Sequence, residues 1–430
     1  MKRSRPADGP LHPSADDDPA HLALLAYASP ATSLTIAPSP FGLGAFAPAA
    51  GIPAGSLLCS ISSSLCMTVG RSARTPLGRL ALAAFPPGRG PPAEFLLLLD
   101  MALGRADPAH RDHAFLASLP AKPADAPSWP ACDRRLLAGT NLAAGCAASS
   151  AALEADIARF LPALLALGSG KFGALRGGKG IRWARACYRS RRFPASLIQG
   201  EAGDGPGAAG GDGGDEKDVG ILLPFMDLLN HRRGAKIEWE KADSDDGRIS
   251  FRASEDVRGG EEVFNNYGSK SNEELLMCYG FALRDNPDDA YRLKLGVGGG
   301  EERVELGVFS IRRGGVEGVE QFPKALWRAL ASLYEEEEEE EGGEGGAGGG
   351  GEEGGVEGGE GDVAVGIEEV ELLLATLSRR LEPFDETRAA DEICERGERG
   401  ETQREAAVAM YRCGQGEVLR QAVQTLKAML

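Results

Sequence analysis

No apolar run in this 430-residue chain approaches the roughly 20 residues needed to cross a bilayer. The longest clean stretches, such as the Phe-Leu-Leu-Leu-Leu run at 95–99, suit a buried core, and no membrane role is expected. There is no C-x-x-C. The eight cysteines, at 59, 66, 132, 146, 187, 278, 394 and 413, are spaced singly. That spacing supports neither a zinc cluster nor a disulfide framework, so reduced thiols of an intracellular compartment are expected. Histidine is scarce, five in all, and no metal site is expected. The first twenty residues lack the apolar core of a signal peptide. Lys2, Arg3 and Arg5 are followed by Asp16-Asp-Asp18, which argues against a transit peptide. Cytoplasm or nucleus is the expected compartment, with the chloroplast as the alternative.

What is abundant is local. The net charge is −17, yet fifteen Glu and Asp362 lie between Glu335 and Glu371 with no Lys or Arg among them. Subtracting those sixteen charges leaves about −1 for the rest, so the acidity belongs to one segment. Arg182, Arg185, Arg189 and Arg192 share one helical face. No aromatic interleaving accompanies them, so they read as a solvated face and no nucleic-acid partner is expected.

Residues 1–20 read as a disordered lead. From His21 to about Thr68, short apolar stretches broken by Gly and Pro predict strands and turns. From 77 to 195 Ala and Leu dominate, and the stretches at 80–83, 95–101, 151–167 and 182–189 predict helices. Residues 201–220, rich in Gly, predict a loop. Strand patterning returns at 236–240 and 248–252, a hairpin across Asp245-Asp-Gly247. After Phe281 the chain reads as mostly helical, interrupted at 335–362 by a Glu/Gly tract that cannot bury enough apolar surface to fold.

Two runs carry chemistry: Asp227-Leu-Leu-Asn-His231, which ends the apolar stretch at 221–226, and Gly260-Glu-Glu-Val-Phe-Asn-Asn-Tyr-Gly268. Polar groups at the end of a buried run need partners, because an unpaired buried polar group is costly. A bound polar cofactor would supply them. Asn230-His231 alone reads more readily as a turn with a satisfied histidine, and Tyr267 alone more readily as core. Their occurrence together, followed by Tyr279-Gly-Phe281, favours the functional reading.

These residues, with Gly42-Leu-Gly44 and Ser190-Arg191, resemble the SET-domain methyltransferases. The nearest branch is that of Rubisco large-subunit lysine methyltransferase and the actin-histidine methyltransferase. The resemblance implies an α+β fold: a β-rich SET fold with a pseudoknot, split by a helical insertion and followed by a helical C-terminal substrate-binding domain. The implied boundaries are 21–70 and 220–283 for the SET parts, 71–219 for the insertion with its Gly-rich loop, and 284–430 for the substrate-binding domain. It implies S-adenosyl-L-methionine as cofactor. Gly42, Leu43 and Gly44 would line it through their backbone, and Asp227, Asn230, His231 and Tyr279 would help to bind it. Arg191 would meet its carboxylate and Phe281 would pack on its adenine. Pro40-Phe41 stand where the family often has an acidic residue, and one residue is inserted near Gly51.

By the same resemblance Tyr267 would be catalytic, orienting amine and methyl. Backbone carbonyls near Ser190 and Arg191 would accept the amine's hydrogens, and Phe193 and Tyr279 would wall the channel. The expected partner is a protein substrate docked by the C-terminal helical domain of a monomer. The histidine branch has an Asn just after the matching Arg and a Trp just before the Asp. Here Arg192-Phe193 and Met226 stand there, which favours lysine. No Cys cluster follows the Tyr motif, which favours a non-histone substrate. Histidine methylation and a catalytically silent interaction module are the alternatives.

Overall fold

The computed structural model describes residues 19–40, 42–167, 170–198, 219–241, 247–297, 304–315, 320–341, 365–395 and 402–430. The expectations for residues 1–18, most of the Gly-rich loop, Asp245-Asp246 and the Glu/Gly tract beyond 341 lie outside these. The chain opens with α1 (Pro19–Ala28), then β1 (Ala31–Thr32), β2 (Thr35–Ser39), β3 (Gly42–Phe46) and β4 (Leu57–Ser62). Helices follow: α2 (Val69–Arg74), α3 (Pro76–Ala83), α4 (Ala93–Ala106), α5 (His113–Ser118), α6 (Ala131–Arg134), α7 (Asn141–Ala166) and α8 (Lys179–Arg191). Next come β5 (Arg192–Phe193), β6 (Ile221–Leu222), β7 (Ile237–Glu240), β8 (Arg248–Ala253) and β9 (Glu262–Val263), and then α9 (Asn272–Tyr279). The last elements are β10 (Ala290–Val297), β11 (Val304–Arg312), α10 (Lys324–Glu341), α11 (Ile367–Glu395) and α12 (Gln403–Met429). No described helix is long and apolar enough to cross a membrane.

These elements form two compact units, one from residues 1–129 and 146–269, the other from 130–145 and 270–430. In the first, three antiparallel sheets surround one core: β1-β4-β8-β7, β2-β3-β9 and β5-β6. Ile61, Met67, Leu97, Leu98, Leu222 and Phe251 are each at most 1 % exposed within a single apolar cluster. The helices of the insertion therefore share a core with the strands. Local capping sets the helix starts. The Thr68 hydroxyl accepts from the Arg71 N–H and the Thr75 hydroxyl from the Gly78 N–H, with Pro76 in the first turn of α3.

In the second unit the β10-β11 hairpin packs with α10, α11 and α12 around Leu293, Ile311, Leu326, Leu373, Leu377 and Leu419. A capping box starts α9, with Ser271 and Glu274, and another starts α12, with Thr402 and Glu405.

Four expectations change. Residues 19–28 form a helix rather than strands and turns, because their Ala and Leu favour helix even without an amphipathic stripe. The region after Phe281 opens on a hairpin. The alternation of Tyr291, Leu293 and Leu295 with Arg292 and Lys294 is strand patterning. The first seven glutamates of the Glu/Gly tract continue α10 to Glu341, since Glu propagates a helix already begun at Lys324. The arginine face of α8 is not simply solvated. Arg182 pairs with Glu154 at 2.5 Å, Arg185 with Glu94 at 2.6 Å, and Arg189, 9 % exposed, donates to Ser149.

Candidate active site

The centre of the first unit is built where the two motif runs lie side by side. The first run leaves a fully buried stretch: Leu222, Leu223, Phe225 and Met226 are 0 % exposed. At Phe225 the backbone takes φ 74° and ψ −42°, a region that side chains other than glycine rarely adopt. Surrounding packing must hold a buried ring there, and such strain stands two residues before Asp227. The second run leaves β9 and passes the first in the parallel sense, with His231 opposite Asn265. The Asn265 N–H donates to the Asn230 carbonyl at 2.8 Å, and the Arg232 N–H donates to the Asn265 carbonyl at 3.0 Å.

Asn265 is 1 % exposed, and its side-chain carbonyl accepts from Trp239 Nε1 at 3.1 Å and from the Asn266 N–H at 2.8 Å. The residue lies inside the motif, and the sequence alone assigns it no role. Its two neighbours on the other strand are more than thirty residues away, and no local signal names them.

Asn230 ties the crossing to the glycine turn. Its Nδ2 donates to the Leu43 carbonyl at 3.0 Å, to Glu262 Oε1 at 2.7 Å and to Ser39 Oγ at 3.2 Å. A Cβ on Gly44 would overlap the Glu262 carboxylate and crowd Asn230 Nδ2, so a side chain there would have to push that carboxylate aside. Gly42 is there for a different reason: its φ of +109° is strained for any side chain. Glu262 is the residue the sequence reading missed. No signal within its own run marks it as facing the glycines.

Tyr267 donates from its hydroxyl to the Leu229 carbonyl at 3.0 Å, and its backbone N–H donates to His231 Nδ1 at 3.1 Å. Its ring stacks on His231 with centroids 5.0 Å apart. Burial pushes the phenol well above its ordinary pKa. Arg191 pulls it down, while Asp227 and Glu262 add to the rise. The hydroxyl therefore stays protonated and remains a donor at any physiological pH.

Arg191, at the end of α8, sets Nε 3.0 Å from Asp227 Oδ2 and donates from Nη1 to Ser190 Oγ at 3.0 Å. The Arg191–Asp227 contact is an ion pair without a well-aligned hydrogen bond. Asp227 is 3 % exposed at its side chain, and its Oδ1 has no hydrogen-bond partner among the described residues. Burial raises its carboxyl pKa against the opposing pull of Arg191. Ser190 Oγ donates back to the Ala186 and Cys187 carbonyls, which holds the helix end. Phe193 lies in an aromatic cluster, 5.5 Å from Trp239 and 5.8 Å from Phe251.

The structure thus brings Gly42, Leu43, Gly44, Asn230, His231 and Tyr267 into one bonded network, with Arg191, Asp227 and Ser190 in an adjoining one. Tyr279 and Phe281 belong to the second unit, where their rings lie 6.0 Å apart across Gly280, the left-handed cap of α9. A cavity of about 270 Å³ lies among Arg232, Lys236, Glu255, Glu262 and Phe264, and none of the sequence-predicted residues lines it. Asp100, His110 and Asp112 also approach one another closely enough to hold an ion. They are already engaged: Asp100 with Ser72, Asp112 with Arg71 and Tyr27.

No family model matches the chain. Over 115 residues, 27 % of this chain and 18 % of the relative, it is 37 % identical to a ribosomal lysine N-methyltransferase of Schizosaccharomyces pombe. It is 33 % identical over 113 residues, 26 % of this chain and 17 % of the relative, to ribosomal lysine N-methyltransferase 1 of Saccharomyces cerevisiae. To the actin-histidine N-methyltransferase of Danio rerio it is 32 % identical over 95 residues, 22 % and 16 % of the two chains. The chain spans less than a fifth of the length of these relatives.

Among solved structures, the SET domain of LSMT bound to lysine and AdoHcy superposes with a TM-score of 0.68 at 16 % identity, covering 93 % of this chain and 87 % of that one. Rubisco LSMT bound to AdoMet gives 0.66 at 17 % identity, covering 93 % and 88 %. The chain has the α+β SET fold with a helical C-terminal region, and its sequence relatives are SET-domain protein methyltransferases.

Proposed function

We propose that this chain is an S-adenosylmethionine-dependent protein methyltransferase acting on a lysine side chain of a non-histone protein. The observation that carries the reading is the Tyr267 hydroxyl, held protonated and anchored on the Leu229 carbonyl at the crossing of the two motif runs. The residues around it fit the cofactor. Asp227 Oδ1 is a buried acceptor with unmet capacity, and the Leu43 carbonyl and Glu262 carboxylate offer further acceptors beside the glycine turn. Leu43 is itself 38 % exposed, an apolar side chain left open on β3.

S-adenosylmethionine, when bound, supplies an electrophilic methyl on a sulfonium. Gly42, Leu43, Gly44, Asn230 and His231 would hold it, with Arg191, Asp227, Tyr279 and Phe281. The chain's own task is alignment, since an in-line displacement needs nucleophile and methyl held in register. Tyr267 would fix that register through a hydroxyl anchored on the Leu229 carbonyl, with its ring stacked on His231. A lysine amine must also lose its proton, and only roughly one in a few thousand is neutral at pH 7. Apolar walls favour that form by desolvation, and Phe193 stands in such an aromatic cluster.

Lysine is preferred because Arg192-Phe193 and Met226 stand where the histidine branch carries Asn and Trp, and because relatives matching at 37 % and 33 % identity are lysine enzymes. Histidine is the second reading, on the 32 % identity to the actin-histidine relative. The helical second unit would dock the protein substrate, and the enzyme would act as a monomer in cytoplasm or nucleus.

The test is transfer of a labelled methyl to extracted proteins and to peptide pairs differing only in Lys or His. Label on Lys alone, lost in Tyr267→Phe, is the expected result. Label on His alone would replace the lysine reading. Failure of folded wild-type protein to bind S-adenosylmethionine would overturn the enzyme and favour an interaction module.

A further inference from the structure

Within the second unit, the segment bearing Tyr279 and Phe281 is closed by a buried polar clasp. Asn272, in the first turn of α9, pairs its side-chain amide with both backbone groups of Leu283. Its Nδ2 donates to the Leu283 carbonyl at 2.9 Å, and the Leu283 N–H donates to Oδ1 at 2.8 Å. Residues 272 and 283 are thereby joined, with Tyr279, Gly280 and Phe281 between them. Asp289 in turn grips Asn272 twice: the Asn272 backbone N–H donates to Oδ1 at 2.7 Å, and Nδ2 donates to Oδ2 at 3.0 Å. Asn272, Asn286 and Asp289 are each 1 % exposed. From α12, Gly414 closes over the carboxylate so tightly that a Cβ would overlap it. No role in the motif reading accounts for a buried carboxylate here.

We propose that Asp289 is a positioning residue: acting through Asn272, its carboxylate holds the Tyr279–Phe281 segment in the placement that the cofactor requires. The assignment of that segment to the cofactor rests on the methyltransferase reading above; the clasp itself does not. Both carboxylate oxygens face N–H donors. A proton on either oxygen sets an O–H against a donor, and one of the two bonds to Asn272 is lost. The charged groups acting on Asp289 are Arg313, after β11, which favours the anion, and Asp288, which opposes it. α9 presents Asn272 and α12 presents Gly414, neither charged. Lys270 and Glu273 lie buried in the same unit, and Glu273 accepts from Tyr411.

Burial is the dominant influence and pushes Asp289 up to about 7. The clasp is therefore intact above that pH and loosens as pH falls through it. Global stability runs the other way. A carboxyl whose folded pKa exceeds its unfolded value takes up a proton in the folded state, so its contribution to stability rises as pH falls from about 8 toward 4. Opposite trends in cofactor affinity and stability are a signature that general acid loosening would not give.

The experiment is calorimetric titration of S-adenosylmethionine, with amide hydrogen exchange at Leu283, in wild type, Asp289→Asn and Gly414→Ala between pH 6 and 8.5. In Asp289→Asn an amide replaces one acceptor and mimics the protonated state. The wild type should bind about threefold to tenfold more weakly at pH 6 than at 8.5, the scale of one lost buried hydrogen bond. Asp289→Asn should match it at pH 6 and fall behind at 8.5, with faster exchange at Leu283. The cofactor's own titration cancels in the ratio. Gly414→Ala should reproduce the defect from α12 and decides the matter if Asp289→Asn does not fold. A pH-independent ratio, or Leu283 exchange equal in wild type and variants, would overturn the proposal. Wild-type protein that binds no cofactor would refute the methyltransferase reading, and Leu283 exchange would still decide the clasp.

Discussion

Replacing Asn230 by Ala tests the centre of the site most directly. One amide nitrogen serves Glu262 Oε1 at 2.7 Å, the Leu43 carbonyl at 3.0 Å and Ser39 Oγ at 3.2 Å, so β2, β3 and β9 all meet on it. Alanine removes a hydrogen bond to a charged acceptor, worth about 1.5–3 kcal/mol. It also leaves Glu262 facing the Leu43 carbonyl with no donor between them. Glu262 is only partly buried, so water can recover a share of that loss. If the same nitrogen fixes the backbone that lines the cofactor, S-adenosylmethionine affinity should fall about 10- to 100-fold. Calorimetric titration reads the affinity, and thermal melts run beside it separate local loss from global unfolding. Affinity within about twofold of wild type would refute the reasoning, because the glycine turn would then not depend on Asn230. An equal loss in Tyr267→Phe would refute it too, since the two residues are assigned separate roles.

Tyr267→Phe should cut methyl transfer strongly while cofactor affinity, read by the same titration, stays nearly intact; the bond to the Leu229 carbonyl is removed. Arg191→Met removes the main influence holding down the Asp227 carboxyl, so that pKa should rise further. A raised folded pKa means stability gained on acidification, so chemical denaturation should show a steeper fall in stability with rising pH than in wild type. Tyr411→Phe leaves Glu273 Oε2 without its 2.9 Å donor in a fully buried setting. Denaturant unfolding should register a loss of about 1–3 kcal/mol, and a loss under half of that would show the pair to be solvated.

Much of the site was legible because its chemistry is written in short runs. Asn230-His231 and Tyr267-Gly268 stand within a few residues of their strands, and their polar character at the end of buried apolar runs signalled a site before any contact was known. Helices α4 and α7 follow from Ala- and Leu-rich stretches, α8 from the helical pattern that continues through 182–189, and β7 and β8 from two-residue alternation. The hairpin β10-β11 carries the same alternation, masked in the sequence by the helical composition that follows it. The start of the Glu/Gly tract was misjudged for the opposite reason: composition argued against folding, while continuity with α10 kept its first residues helical.

The sequence by itself determined which residue types were available, where apolar runs would be buried, and that Gly42 and Gly44 bracket Leu43 in a turn-prone run. Tertiary structure alone decided what each polar group would meet. Asn230 finds its acceptors at 39, 43 and 262, Asn265 finds donors at 232 and 239, and Asp289 is closed in by Gly414. Periodicity reports the direction of a side chain relative to its own element and nothing about what arrives from elsewhere. Hydrogen bonds and desolvation act over a few ångströms, so the identity of a partner, the strain at Phe225 and the shifted acidity of Asp289 exist only once distant segments are packed together.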